Sequence, residues 1–316
     1  MLFSINFYCA PYSLPEVKTY SEKDDPYTYY HESLEAYQSH KYLLALEKID
    51  HALRLNNNFA QFYELKGNIY HQLGNNEEAL NAYNLALRKR SNFTEVHEAI
   101  GDIYKDQARY VEAVRSYKRV ATLVPSNINI LLKIAHSYIL CQEYVVAQHY
   151  LDTYKKSAES SRIPLGDDYL LISGELLFHV GEYQESLAFL KRIKKTDKKI
   201  LQLLGKNYYA LNDFETGVIY FSKLHSMEKD NGKWYLYRGI YFYYKNDYKD
   251  AREQFLYALK LDPKLVETHY YLGKIYVSEG NTKAALQELR IYRKQMQQLD
   301  KLQDSDVLIS TLKSRY

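Results

Sequence analysis

Histidine, cysteine and lysine are the residue types here that could carry acid–base, thiol or charge-pairing chemistry, and their spacing decides which of these is available. The ten histidines are scattered along 316 residues. His136 and His179 fall in helical stretches near the face proposed below, but a lone histidine is more often packed or solvated than catalytic. There is no His-Glu-x-x-His, no glycine-rich phosphate loop and no nucleophile elbow. Cys9 and Cys141 are far apart in unlike settings, so neither a disulfide framework nor a thiolate metal site is expected. The chain is therefore read as a non-enzyme with no catalytic residues, no metal and no cofactor. Charge offers more. A basic run, Lys191-Arg192-Ile193-Lys194-Lys195-Thr196-Asp197-Lys198-Lys199, could touch phosphates, yet 42 basic against 39 acidic residues is too even a balance for a dedicated nucleic-acid binder.

Whatever these side chains do, helices must position them. The sequence is 46% hydrophobic and 26% charged with only six prolines, which suits long helices and argues against extensive disorder. No stretch reaches the roughly 18 to 20 uninterrupted apolar residues that a membrane-spanning helix needs. Met1 to Ala10 resemble the apolar core of a secretory signal, but a basic start is missing and Pro11 follows directly. Tyr8 is too large to precede a lipidated Cys9. Residues 1–25 are read as an N-terminal arm or a shortened export signal, so a cytoplasmic and an exported location both stay open.

Self-comparison reveals a period of 34. Gly67-x-x-Tyr70, Gly74, Ala79, Tyr83 and Ala86 return as Gly101-x-x-Tyr104, Ala108, Ala113, Tyr117 and Val120, then as Ala135-x-x-Tyr138, Gln142, Ala147, Leu151 and Tyr154. Ser33, Ala45, Ile49 and Ala52 extend it backwards. It resumes as Gly205-x-x-Tyr208, Gly217 and Phe221, then Gly239, Ala251, Phe255 and Ala258, then Gly273-x-x-Tyr276, Gly280 and Ala285. The expected packing places small residues such as Gly67, Gly101 and Gly273 where helices approach, with Tyr70, Tyr104 and Tyr276 beside them. Pro125 and Pro263 fall where a second helix must stop.

This pattern resembles the tetratricopeptide repeat (TPR) family, in which a small residue three before an aromatic on one helix is followed by alanine and an aromatic on the next. The resemblance covers nearly the whole chain. It implies an all-α fold, a right-handed superhelical solenoid of about eight helix pairs, with repeats beginning near Pro26, Ala60, Thr94, Ile128, Asp167, Lys198, Gly232 and Val266. Residues 26–161 form the first four repeats and 167–299 the last four. Between them 162–166 is an irregular linker, at which a bend is expected to divide the solenoid into halves. Residues 300–316 are expected to close the last open face, with a short amphipathic helix after Ser305.

The resemblance further implies a non-catalytic scaffold that binds a protein or peptide in a concave groove lined by the second, fifth, ninth and twelfth residues of each repeat. The second and third repeats then present Gln61, Glu64, Asn68, His71, Glu95, Glu98, Asp102 and Lys105, a mostly acidic set. The fourth and fifth present Asn129, Leu132, His136, Ile139, Asp168, Leu171, Glu175 and Phe178. The final three interleave lysine with tyrosine, and Lys199, Gln202, Lys206, Tyr209, Lys233, Leu236, Tyr243, Tyr270 and Lys274 are the candidate partner-binding residues. Lysines supply point charges and tyrosines rigid contact area, a combination suited to an acidic segment. Family members that hold chaperone C-termini use a Lys and Asn clamp. Asn68 matches it and Lys133 could replace its arginine, but Glu64, Ala99 and Asn129 fill the other positions, so no chaperone-tail role follows. The alternative is a structural subunit touching its assembly through its ends or convex face. RNA binding is disfavoured by the acidic set, which would repel a phosphate backbone.

Overall fold

The computed structural model describes residues 25–195, 197–227 and 231–313, with side chains as far as residue 298. Among them are sixteen α-helices and no strand, joined as successive hairpins. The pairs are α1 Pro26–Gln38 with α2 Tyr42–Leu55, α3 Ala60–Gln72 with α4 Asn76–Lys89, and α5 Thr94–Asp106 followed by α6 Tyr110–Leu123. Then come α7 Asn129–Leu140 with α8 Tyr144–Ser160, α9 Asp167–His179 with α10 Tyr183–Leu190, and α11 Lys198–Ala210 with α12 Phe214–Met227. The last are α13 Gly232–Tyr244 with α14 Tyr248–Leu261 and α15 Val266–Ser278 with α16 Thr282–Lys313. Every first helix starts at the residue the period predicts, except that α7 starts one later, with Ile128 as its N-cap.

Each hairpin closes on one backbone device. The fifteenth residue of all eight repeats has positive φ: His40, Gly74, Ala108, Gln142, Gly181, Asn212, Asn246 and Gly280. The following N–H donates back to the carbonyl of the eleventh residue, as in Asn75 to Tyr70 (2.9 Å), Arg109 to Tyr104 (2.8 Å) and Asn281 to Tyr276 (2.8 Å). This is the Schellman closure, which satisfies carbonyls orphaned at a helix end. Glycine or asparagine takes the left-handed conformation readily, whereas a Cβ there costs about 1–2 kcal/mol.

The hairpins are held by a small residue on the first helix under a large one on the second. A Cβ on Gly67 would overlap the Tyr83 ring, and on Gly205 and Gly239 it would come within 2.7 Å of Phe221 and 2.6 Å of Phe255. Tyr83, Phe221 and Phe255 are fully buried. The ring that fills the glycine hollow thus belongs to the second helix, while Tyr70, three residues on from Gly67, is only half-buried. Where serine replaces a small residue, the same close approach becomes a hydrogen bond: Ser33 donates to the Ala45 carbonyl and Ser186 to that of Gly174, each at 2.7 Å.

The chain forms two compact units, one ending at Ile103 and the other beginning at Tyr104. In the first, a core of Ala36, Ala45, Ile49, Phe62, Leu65 and Ile69 joins α1, α2 and α3. In the second, one cluster runs from Leu132 through Leu151, Tyr154 and Ala158 to Tyr169, Leu170 and Leu204. It therefore crosses the polar connector between α8 and α9, whose backbone at Ser161 to Pro164 is exposed with Ile163 46% accessible. A division of the repeats at 162–166 remains a proposal about that exposed connector over a shared core.

At the C-terminus the expected separate helix after Ser305 is replaced by one helix without a break from Thr282 to Lys313. No glycine or proline interrupts this segment, and its Gln, Leu, Lys and Glu content favours continuation. The side chains of 299–316, and all of the expected arm at 1–24, lie outside the described residues.

Two outcomes follow from the backbone and the connector. Urea unfolding should show Ala108→Gly stabilised by up to about 1 kcal/mol and Gly74→Ala destabilised by about as much, because the same turn relieves strain in one and incurs it in the other. Brief trypsin digestion should cut early at Arg162, and an intact 155–166 segment at partial digestion would count against an exposed connector.

Candidate partner-binding face

In the second unit the predicted face is carried by α9, α11, α13 and α15. Its most tightly built feature is an ionic cluster. Lys199 at the start of α11 places Nζ 2.8 Å from Glu175 Oε2 on α9 and 3.2 Å from His136 Nε2 on α7. That imidazole nitrogen lies 3.4 Å from the same carboxylate oxygen. The Glu175 side chain is only 12% exposed. Burial alone would push its carboxyl upward, but the His136 contact and the Lys199 charge outweigh this and hold it down at about 2.

Two helix turns beyond Lys199, Lys206 is half-buried with Nζ 6.0 Å from the Phe178 ring centroid. Burial, then the neighbouring charge of Lys233, lowers its ammonium from the ordinary lysine value, against an opposing pull from Glu175 and Glu267. Lys233 is exposed in the first turn of α13. Neither lysine has an ion-pair partner among the described residues. Further along, Lys274 of α15 stands 5.3 Å from the ring centroids of both Tyr243 and Tyr270, and Tyr270 is exposed. Gln202 is half-buried between Lys199 and Lys206 on α11.

Two of the predicted residues are elsewhere. Tyr209 is buried, with its hydroxyl donating to the Tyr237 carbonyl. The cause is Gly217, which stands where other repeats carry alanine (Ala79, Ala113, Ala251); a Cβ there would collide with the Tyr209 ring, so the glycine opens a hollow and the ring turns into it. Leu236 is likewise core, packed with Trp234, Ile240 and Phe255. Both are corrected from face to interior. In the fourth repeat Leu132 and Ile139 are buried as well.

In the first unit the acidic set stays acidic. The Glu64 carboxyl is raised by burial and then by the Glu95 charge, and Asn68 accepts the Tyr83 hydroxyl at 2.6 Å. Of the basic run, Lys191, Arg192, Lys194 and Lys195 are exposed after the short α10, Ile193 is buried, and Lys198 and Lys199 open α11. Lys191 lies 5.3 Å from the Tyr208 ring centroid, and Asp197 caps α11 by accepting from the Ile200 N–H at 2.9 Å. Sequence reasoning placed His136, Glu175 and Lys199 on one face without pairing them. The signal was opposite charge at face positions of consecutive repeats. Among the described residues no cluster of three or more His, Cys, Asp or Glu is arranged to hold a metal ion, and no helix is long and apolar enough to cross a membrane.

The family comparison agrees with this geometry. A TPR repeat model matches residues 67–108 and 240–280, and a tetratricopeptide repeat model matches 96–127. The chain carries tetratricopeptide repeats. No curated protein matches it in sequence. Among solved structures, a tetratricopeptide repeat protein from Parabacteroides merdae superposes with a TM-score of 0.63 at 17% identity, covering 80% of this chain and 98% of its own. The Cut9–Hcn1 hetero-tetramer of APC/C gives a TM-score of 0.61 at 17% identity, with 86% and 52% covered. PilW, a type IV pilus biogenesis factor, gives 0.55 at 17% identity, with 64% and 92% covered. At such identities the likeness is one of fold.

The ionic cluster makes a pH prediction. Glu175 has a folded-state value of about 2, below the ordinary glutamate value, so its contribution is complete above pH 5 and disappears as pH falls through 4 to 2. Unfolding free energies of wild type and Glu175→Gln from urea titration should differ by on the order of 2–3 kcal/mol at pH 7 and converge near pH 2.

Proposed function

We propose that this TPR protein is a non-catalytic interaction scaffold that holds an extended acidic segment of a protein partner along the first-helix face of α11, α13 and α15. The observation that carries this is the pair Lys206 and Lys233, whose charges act on each other while neither is in ion-pair contact with a carboxylate among the described residues. Two like charges held close on neighbouring helices raise each other's energy, and a bound carboxylate relieves that repulsion. Tyr243, Tyr270 and Lys274 continue the same face with half-exposed rings and a cation fixed above them. Such tyrosines offer contact area at small entropic cost. The fold neighbours that belong to APC/C and to pilus biogenesis support an assembly role in general terms.

A second reading is a structural subunit that touches its assembly through the second helices. The observation in its favour is the exposure of apolar side chains there, with Val145 on α8 86% accessible and Ile219 on α12 53%.

Affinity capture with the intact chain beside a Lys206→Glu, Lys233→Glu double variant separates the readings. A partner retained by wild type and lost at least tenfold in the variant supports the face; partners captured equally by both move the interface to the second helices or the ends.

A further inference from the structure

The first-helix face of the second unit already carries a carboxylate of its own. Glu175 is inserted between a cation from the following repeat and an imidazole from the preceding one, with Lys199 at 2.8 Å and His136 at 3.4 Å. The three residues come from α7, α9 and α11, so the site spans three repeats. Its cation is not enclosed: the Lys199 side chain is 42% exposed, whereas that of Glu175 is 12% exposed. Lys199 can therefore be reached by a carboxylate from outside, but in the free protein it is neutralised from within. The influence of Glu175 extends two turns along α11, where its charge also acts on Lys206.

We propose that Glu175 is a specificity-determining residue of this face, a resident carboxylate that occupies the cationic site of Lys199 and His136 and competes with acidic side chains of the partner. This rests on the reading of the face as the binding surface for an acidic segment. It adds a polarity. Beyond Glu175, Lys206, Lys233 and Lys274 leave α11 to α15 with net positive charge, and acidic residues of the partner settle there. At the α9 end the charge is cancelled, and the half-buried Phe178 and Leu171 offer apolar area. The preferred segment is then acidic over α11 to α15 and neutral or apolar over α9. A segment acidic along its whole length is penalised at one end by like charge.

The test uses the intact chain and a fluorescein-labelled peptide of alternating glutamate and glycine, long enough to span the face, read by fluorescence anisotropy at low salt. Glu175→Gln keeps shape and removes charge, and it should bind roughly fivefold tighter than wild type, the scale of one partly exposed ion pair. Adding Lys199→Gln to it should abolish the gain, because the released ammonium is the source. A folded Glu175→Gln variant that binds no tighter, or a gain that survives without Lys199, overturns the proposal. If Glu175→Gln fails to fold, Lys199→Gln alone decides: it leaves Glu175 unneutralised and should weaken the peptide severalfold, and unchanged affinity overturns the proposal. A Lys206→Glu, Lys233→Glu arm keeps the two readings apart. Peptide binding unaffected by that double variant refutes the acidic-segment reading itself. Loss there with no effect of Glu175 refutes only the resident competitor.

Discussion

The close approach of two helices over a missing side chain is the constraint on which the structure depends. At five first-helix glycines the second helix brings a large side chain into the hollow: Tyr83 on Gly67, Leu190 on Gly174, Phe221 on Gly205, Phe255 on Gly239 and Leu289 on Gly273. A protein interior tolerates no void at that place and no extra methyl either, so each hairpin is fixed in separation and rotation by one pair of residues. Rotation is what matters for function. It sets which residues of the first helix look outward, and the outward row of α9, α11, α13 and α15 is where charges from different repeats meet.

That hairpin geometry was legible from the sequence because it is local: the small residue, the aromatic and the turn recur within 34 residues. The start of each first helix followed to within a residue. The face was read less completely, for two physical reasons. Tyr209 occupies an outward position by count, but it rotates inward because Gly217 in the same repeat lacks the methyl that would exclude it. A repeat template treats positions as independent, and this pair is not. The contact of Lys199 with His136, in turn, joins residues 63 apart, and distance along the chain hides such pairs from any motif. At the C-terminus Ser305 has the residue type of a helix cap, yet without a breaker around it a helix already under way continues through.

The electrostatics of the two units differ in kind. In the first, Glu64 is raised by its own burial and by Glu95, so that one carboxyl is placed against its own preference for charge. In the second, Glu175 is held strongly ionised by the groups around it, while Lys206 is pushed toward neutrality. A face on which one ion is over-satisfied and a neighbour under-satisfied is asymmetric before any ligand arrives, and asymmetry of this kind gives orientation as well as affinity.

The turn at the fifteenth position also bears on how the array comes apart. A repeat protein unfolds as a string of coupled units, so its weakest hairpin decides where opening begins. Gly74, Gly181 and Gly280 adopt the left-handed conformation without a Cβ in the way, and Asn212 and Asn246 tolerate it, but His40, Ala108 and Gln142 carry its steric cost in the folded state. Those three hairpins store strain that is released on opening. Fraying is thereby biased toward the earlier repeats, leaving the hairpins of α9 to α16, which carry most of the lysine and tyrosine face, to open later.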